Sequence, residues 1–351
     1  LMRDGNDKKG DSFMSFKRPC AAVILAAGKG VRMKSDLPKV LHPLMGKPLV
    51  TWVARACRKA GVERVVLVIG HQADQVRETL GPDFEYAEQK PQLGTGHALM
   101  TAARQLKDFT GDLLVLVGDA PFLSAAVLKK LIRKHQTVSA AATLMTVILD
   151  PPPAYGRIVR DEQRRVLRIV EERDATSAEK RITEVNTSHY CFDAQTVLPL
   201  LASLSTDNDQ GEYYLTDVIG LLSRNGKRLE TLSVADPVTL MGINSRSDLA
   251  EAHVLITRHI VKKHMHSGVS FPNPEGVLIE PEVRIGPDTV ILPGTLLSGS
   301  TVIGRNCVIG PHTTCRSARI GDGCRIEHAV IEDRRVPSGS TVGPFAFLSG
   351  E

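Results

Sequence analysis

From Ile279 onward an aliphatic residue returns at every sixth position: Ile279, Ile285, Ile291, Leu297, Ile303 and Ile309, with Cys315 next in the series. The register slips by one to Ile320 and Ile326 and resumes at Val336, Val342 and Leu348. Glycine follows many of these positions, as in Ile285-Gly286, Ile303-Gly304, Ile309-Gly310 and Ile320-Gly321. A six-residue period of this kind is the signature of a parallel β-helix, in which each inward aliphatic stacks on the coil above it. Three hexads per turn give about four coils over residues 269–351, enough for a stable stack.

The preceding chain has a different rhythm. From residue 20 to about 245, short apolar runs alternate with amphipathic segments, the pattern of an α/β domain with a mostly parallel sheet. Ala21 to Leu25, Val65 to Ile69, Asp112 to Asp119 and Ala140 to Leu149 read as strands. Val50 to Ala60, Ala98 to Leu106 and Ala125 to His135 read as helices, the last with Ser124 as its N-cap. Ile158 to Val170 reads as a hairpin turning at Asp161 to Arg165, and Ser247 to His266 as a helix joining the two regions. The expected domains are a disordered extension (1–18), the α/β domain (19–245), a linker helix (246–268) and the repeat (269–351). The chain opens with leucine, and Met14 just before the first strand is a candidate start.

In open sheets of this type, ligands bind beyond the carboxyl ends of the strands. The loop after the first strand reads LAAGKGVRMKSDLPK, from Leu25 to Lys39. Its glycines let backbone N–H groups approach a phosphate closely, and Arg32, Lys34 and Lys39 supply positive charge. Gly118-Asp119-Ala120-Pro121 puts a carboxylate at another strand end, either as a helix cap or as a ligand. Gly94-Thr95-Gly96 could seat a base or ribose, or simply make a tight helix entry.

The formal charge of +5 is small for 351 residues, and no basic run interleaved with aromatics appears, so nucleic-acid binding has no positive support. The basic end of the 247–266 helix is better read as complementing the helix dipole. No apolar run reaches the ~18–20 residues of a membrane span, and no signal-peptide core opens the chain. The cysteines (20, 57, 191, 307, 315, 324) form neither CxxC pairs nor clusters with histidine, which points to buried free thiols in a reducing, cytoplasmic setting.

Taken in order, LAAGKGVRM…LPKVLHPLMGKPL, QLGTGHA, VGDAP, YGRI, IVEERDAT, EVNT, QGEYYLTD and GINSR carry a resemblance. Together they resemble the uridylyltransferase half of the bifunctional N-acetylglucosamine-1-phosphate uridylyltransferase/glucosamine-1-phosphate N-acetyltransferase family, over about two thirds of the chain. The resemblance implies a Rossmann-like, GT-A-like nucleotidyltransferase domain followed by a left-handed parallel β-helix. It implies attack of a sugar 1-phosphate oxygen on the α-phosphorus of UTP, with pyrophosphate leaving and Mg²⁺ as cofactor. By position, Leu25, Ala26, Ala27 and Gly28 would lie against the nucleotide, and Gln89, Gly94 and Thr95 would read uracil. Arg32 would stabilise the transferring phosphorus and Lys39 would contact phosphate oxygens. Asp119 and Asn244 would hold Mg²⁺, and Gly156, Glu171 and Asn186 the amino sugar. His71 and His97 take loop or helix-cap roles. Val31 replaces the family's usual threonine, so retuned or reduced activity is expected.

The repeat resembles the start of the acetyltransferase half. The chain ends at Glu351, where the family continues, and Phe347 stands where the family usually has an arginine. The expectation is therefore a C-terminally truncated member without acetyl transfer, which could assemble as a homotrimer. The implied partners are UTP and N-acetylglucosamine 1-phosphate, with neither nucleic acid nor membrane. Two alternatives use the same residues: a nucleotidyltransferase of other sugar or base specificity, and a non-catalytic nucleotide-sugar-binding scaffold.

Overall fold

The structure, a computed structural model, describes residues 16–62 and 64–350. The expected disorder of residues 1–18, up to residue 15, and the candidate start Met14 lie outside the described residues. The chain divides into two compact units. The first comprises the described residues up to Gly30, with 38–41 and 49–242; the second comprises 31–37, 42–48 and the chain from Ile243 onward.

The first unit is built on a nine-stranded sheet. Its strands are β1 (Cys20–Leu25), β2 (Arg64–Ile69), β3 (Glu85–Glu88), β4 (Asp112–Val117), β5 (Ala142–Ile148), β6 (Arg157–Arg160), β7 (Val166–Val170), β8 (Glu184–Asp193) and β9 (Leu229–Ser233). The order is β9-β5-β8-β4-β1-β2-β3, and the antiparallel β6–β7 hairpin joins β8 through Arg157 and Val185. Strand β1 lies parallel between β2 and β4, while β8 is antiparallel to both of its neighbours. The sheet is thus mixed, with its parallel half around β1.

Helices α1 (Leu49–Ala60), α2 (Ala73–Leu80), α3 (Thr95–Ala103), α4 (Ala125–Val138), α5 (Ala194–Leu200) and α6 (Asp217–Arg224) complete the unit. Residues Ala21 to Ile24 are fully buried, as a parallel strand covered on both faces must be. Ala21 and Val23 share one core with Leu99 and Ala102 of α3 and with Val218 and Leu222 of α6. Helices α1 and α4 pack on each other and against β1 and β5 respectively. Ser124 caps α4, its hydroxyl accepting from the Val127 N–H.

One helix differs from the sequence reading. Helix α3 begins at Thr95 and ends at Ala103, three residues earlier at each end than Ala98 to Leu106. The cause is tertiary: the Gly96 N–H donates to Tyr213 O (2.7 Å) and Thr95 Oγ1 accepts from the Leu215 N–H (3.1 Å), which draws the helix start forward. Strand β9 stops at Ser233, and a short turn at Pro237–Leu240 follows it.

In the second unit, α7 (Arg246–His266) starts on a capping box. The Ser245 hydroxyl accepts from the Asp248 N–H, and the Asp248 carboxylate accepts from the Ser245 N–H. A left-handed parallel β-helix follows, formed of three parallel ladders of two- and three-residue strands. Inward residues stack in register, Ile279 on Leu297, Cys315, Ile331 and Leu348 in one ladder. The slip has a simple form: Ile285 pairs with Ile303, but Ile303 pairs with Ile320, so that coil is one residue shorter. Cys315 pairs with Ile331, shortening the coil again and naming an inward residue that the periodicity reading passed over.

Four positions after an inward aliphatic comes a second buried column containing Thr289, Thr295, Thr301, Cys307, Thr313 and Cys324. Thr289 Oγ1 donates to Gly304 O (2.8 Å) and Thr301 Oγ1 to Ser298 O (2.6 Å), so these buried hydroxyls satisfy themselves on nearby backbone. Ile309→Ala is expected to lower the unfolding free energy of the repeat by about 2–5 kcal/mol. Val302→Ala, at a 37% exposed site, should change it by less than about 0.5 kcal/mol. Chemical denaturation of the two variants checks both.

Candidate active site

Pairing of β1 with both neighbours aligns three carboxyl ends, Leu25 standing opposite Val117 of β4 and Val68 of β2. Backbone bonds continue the alignment past the strands. Ala26 N–H donates to Val68 O (2.8 Å), Gly118 N–H to Leu25 O (3.0 Å) and His71 N–H to Ala27 O (3.2 Å). The loops that follow enclose a cavity of about 880 Å³. Leu25, Ala26, Ala27, Gly28, Lys39, Gln89, Gly94, Thr95 and Asp119, all expected at the nucleotide site, line it.

Gly94 shows why that loop needs glycine. Its φ is +102°, and a Cβ there would stand 2.6 Å from Tyr213 O. Gln89 is buried; its Nε2 donates to Gly94 O (3.0 Å) and lies 3.0 Å from His97 Nδ1. His97, in the first turn of α3, therefore orients Gln89. Gln92, which the sequence reading did not single out, donates from Nε2 to Ala27 O (2.9 Å) and pins the glycine turn from across the cavity. Tyr213 is a further support that the sequence reading does not single out: its N–H donates to Leu93 O (2.8 Å) and its O accepts from the Gly96 N–H (2.7 Å), which holds the Gly94–Thr95 loop through backbone bonds. A glutamine side chain carries no local signal for such a role.

Asp119 lies just beyond the end of β4, and Lys39 Nζ donates to its Oδ2. A Cβ on Gly30 (φ +60°) would meet the Lys39 Cβ at 2.6 Å, so glycine at 30 gives Lys39 its path into the site. Among the described residues, no group of three or more His, Cys, Asp or Glu side chains gathers to hold a metal. Asp119 still fits a hard divalent ion such as Mg²⁺, which needs only one or two carboxylates when water and substrate phosphates complete its shell.

The three residues expected at the sugar come together, but apart from this lining. A Cβ on Gly156 would lie 3.4 Å from Glu171 Oε2 and 3.6 Å from the Asn186 Cβ. Glu171 lines a second cavity, of about 480 Å³, and its Oε1 accepts from Thr216 Oγ1 (3.0 Å). Asn186 sits in a bulge of β8: its Oδ1 accepts from the Ser188 N–H (3.2 Å) and its Nδ2 donates to the Tyr190 hydroxyl (2.7 Å). Burial pushes the Glu171 carboxyl above the ordinary range; the Thr216 bond opposes this, and Asp174 and Asp217 add to it.

Arg32 and Asn244 belong to the second unit. Arg32 is exposed in a short turn at Val31–Met33, and Val31 is 77% exposed. The Asn244 N–H donates to Asp248 Oδ2 (2.8 Å). Burial alone would push the Asp248 carboxyl up, but the Asn244 and Ser245 bonds outweigh it, and nearby Arg32 adds to the lowering. Scattered thiols are as expected: all six cysteines are free, five of them buried. No helix among the described residues is long and apolar enough to cross a membrane.

Comparison with known proteins accords with this geometry. The MobA-like NTP transferase domain matches residues 22–208, and the bacterial transferase hexapeptide (six repeats) matches residues 282–317. The chain is 46% identical over 327 residues to the "Bifunctional protein GlmU" of Brevibacillus brevis, covering 93% of this chain and 71% of that protein. It is 43% identical over 327 residues to the protein of the same name from Acetivibrio thermocellus, with the same two shares covered. The protein of that name from a Geobacillus species is 45% identical over 327 residues, again 93% of this chain and 71% of the relative. The domain match and these relatives define a sugar nucleotidyltransferase, of the UDP-N-acetylglucosamine diphosphorylase class, followed in the chain by a hexapeptide β-helix. The chain belongs to the GlmU family.

The raised Glu171 carboxyl predicts a pH effect. An acid that holds its proton more tightly when folded adds stability below its unfolded pKa, and that stability is lost as pH rises through the folded value. Glu171→Gln should therefore gain on the parent in thermal melts as pH rises from about 4 to about 7. A constant difference between the two would contradict it.

Proposed function

We propose that the chain is a UTP:N-acetylglucosamine-1-phosphate uridylyltransferase, forming UDP-N-acetylglucosamine and pyrophosphate for cell-envelope precursors. The observation that carries this reading is the single cavity at the ends of three parallel strands. It gathers the glycine turn, the Gln89–Thr95 loop, Lys39 and Asp119. The reaction joins the sugar phosphate oxygen to the α-phosphorus as the bond to pyrophosphate breaks, so no covalent enzyme intermediate is required. Catalysis is then positioning and charge stabilisation.

In this reading, Leu25 to Gly28 and Gln89, Gly94 and Thr95 bind the nucleotide, the loop reading uracil through backbone and amide groups. Lys39 holds phosphate oxygens, and Arg32 stabilises charge on the transferring phosphorus. Gly156, Glu171 and Asn186 position the amino sugar. Asp119 and Asn244 would hold Mg²⁺, which supplies Lewis-acid stabilisation of phosphate charge when bound. The catalytic domain is residues 19–245, the linker helix 246–268 and the β-helix 269–351, in a cytoplasmic protein. Homotrimer formation through the repeat belongs to the same proposal, supported by the hexapeptide match and the exposed Phe345 and Phe347.

Pyrophosphate release from UTP, N-acetylglucosamine 1-phosphate and Mg²⁺ tests the reading, with glucose 1-phosphate and dTTP as the comparison panel. Arg32→Ala or Asp119→Ala should lower turnover at least ~100-fold, the scale for losing one transition-state stabiliser. Near-normal rates in either folded variant would sink the site assignment. The hexapeptide match and the relatives' description as bifunctional support a second, acetyl-transfer reading for the repeat. Glucosamine 1-phosphate with acetyl-CoA, run alongside, decides it.

A further inference from the structure

The carboxylate read as a metal ligand is already engaged. Lys39 Nζ donates to Asp119 Oδ2, and the two side chains are only 18% and 13% exposed. An ammonium held this closely competes with a divalent cation for the same oxygen, because repulsion between the two cations is poorly screened in a half-buried site. The backbone builds this contact. Lys39 follows Pro38 and opens the Lys39–Leu41 turn, where the Leu41 N–H donates to Pro38 O (2.9 Å). The stem of Lys39 passes Gly30 so closely that a Cβ there would stand 2.6 Å away. Lys29 and Lys90 line the same cavity and add to its positive rim.

We propose that Lys39 is the resident counter-ion of Asp119 and gates its access to metal. The triphosphate draws the ammonium off the carboxylate, and only then does Asp119 become a competent ligand for a divalent cation. This rests on the reading of Asp119 as a metal ligand given above. Lys39 passes from one anion to another and is spared the cost of a half-buried, unpaired charge. The ligand-free chain therefore binds free divalent cation weakly, and nucleotide and metal bind with positive coupling. Lys39 is a positioning residue for the metal as well as a phosphate contact.

The test titrates the full chain with Mn²⁺ alone, following free Mn²⁺ by electron paramagnetic resonance, and repeats the titration with UTP and no sugar phosphate. Lys39→Met and Lys39→Gln, each checked for folding by thermal melting, should bind Mn²⁺ without nucleotide at least about tenfold more tightly than the parent. Adding Asp119→Asn to Lys39→Met should remove that gain. If neither lysine variant binds Mn²⁺ more tightly, while Asp119→Asn weakens binding in the presence of UTP, the gate is refuted and the metal-ligand reading stands. If Asp119→Asn alters Mn²⁺ binding in no state, both are overturned.

Discussion

Everything in the first unit depends on β1 being held parallel between two neighbours. Pairing Leu25 with Val68 on one side and Val117 on the other brings three strand ends to one level. The chain can sustain this because Ala21 to Ile24 is apolar enough to be covered on both faces. Once the ends are level, loops distant in sequence share one cavity, and their polar groups need only short spans to meet. The antiparallel β8 then closes the other flank of β4 and carries Asn186 in its bulge.

The loops are fixed by backbone before they are fixed by side chains. Ala27 O accepts from both the His71 N–H and the Gln92 amide, which ties the glycine turn to two later segments. Gly94 and Gly96 approach Tyr213 O at distances that any side chain would forbid. A site of this kind is preorganised, because the groups that would face the phosphates and base are held by bonds made without them. The glycines that look like flexibility in the sequence serve here as close-contact points.

Much of this was legible in the residues. The apolar runs announced the strands, and the six-residue period announced the β-helix, because each depends on local burial pattern alone. Ser124 was readable as a cap because its hydroxyl acts on a neighbour three residues away. The start of α3 was not readable, since it is set by Tyr213 and Leu215, over a hundred residues on. Gln92 and Tyr213 escaped for the same reason, and Ile331 because two successive coil shortenings masked its period. Arg32 stood out by its charge beside the glycines, but its role at the phosphorus, Asn244 and the trio proposed for the sugar came from family likeness, which local physics could not have supplied.

The shortened coils carry a consequence for how this chain can change over time. From Ile303 to Ile320 the path is one residue shorter than in the coils before it, and from Cys315 to Ile331 two residues shorter, yet each inward side chain still lands on its partner. Length and composition are therefore under different constraints in the repeat. A deletion at a corner is absorbed within one coil, because each coil touches only its neighbours. A polar replacement of one inward isoleucine disturbs the coils above and below at once. Lineages descending from such a chain should differ in corner length while keeping the inward column apolar.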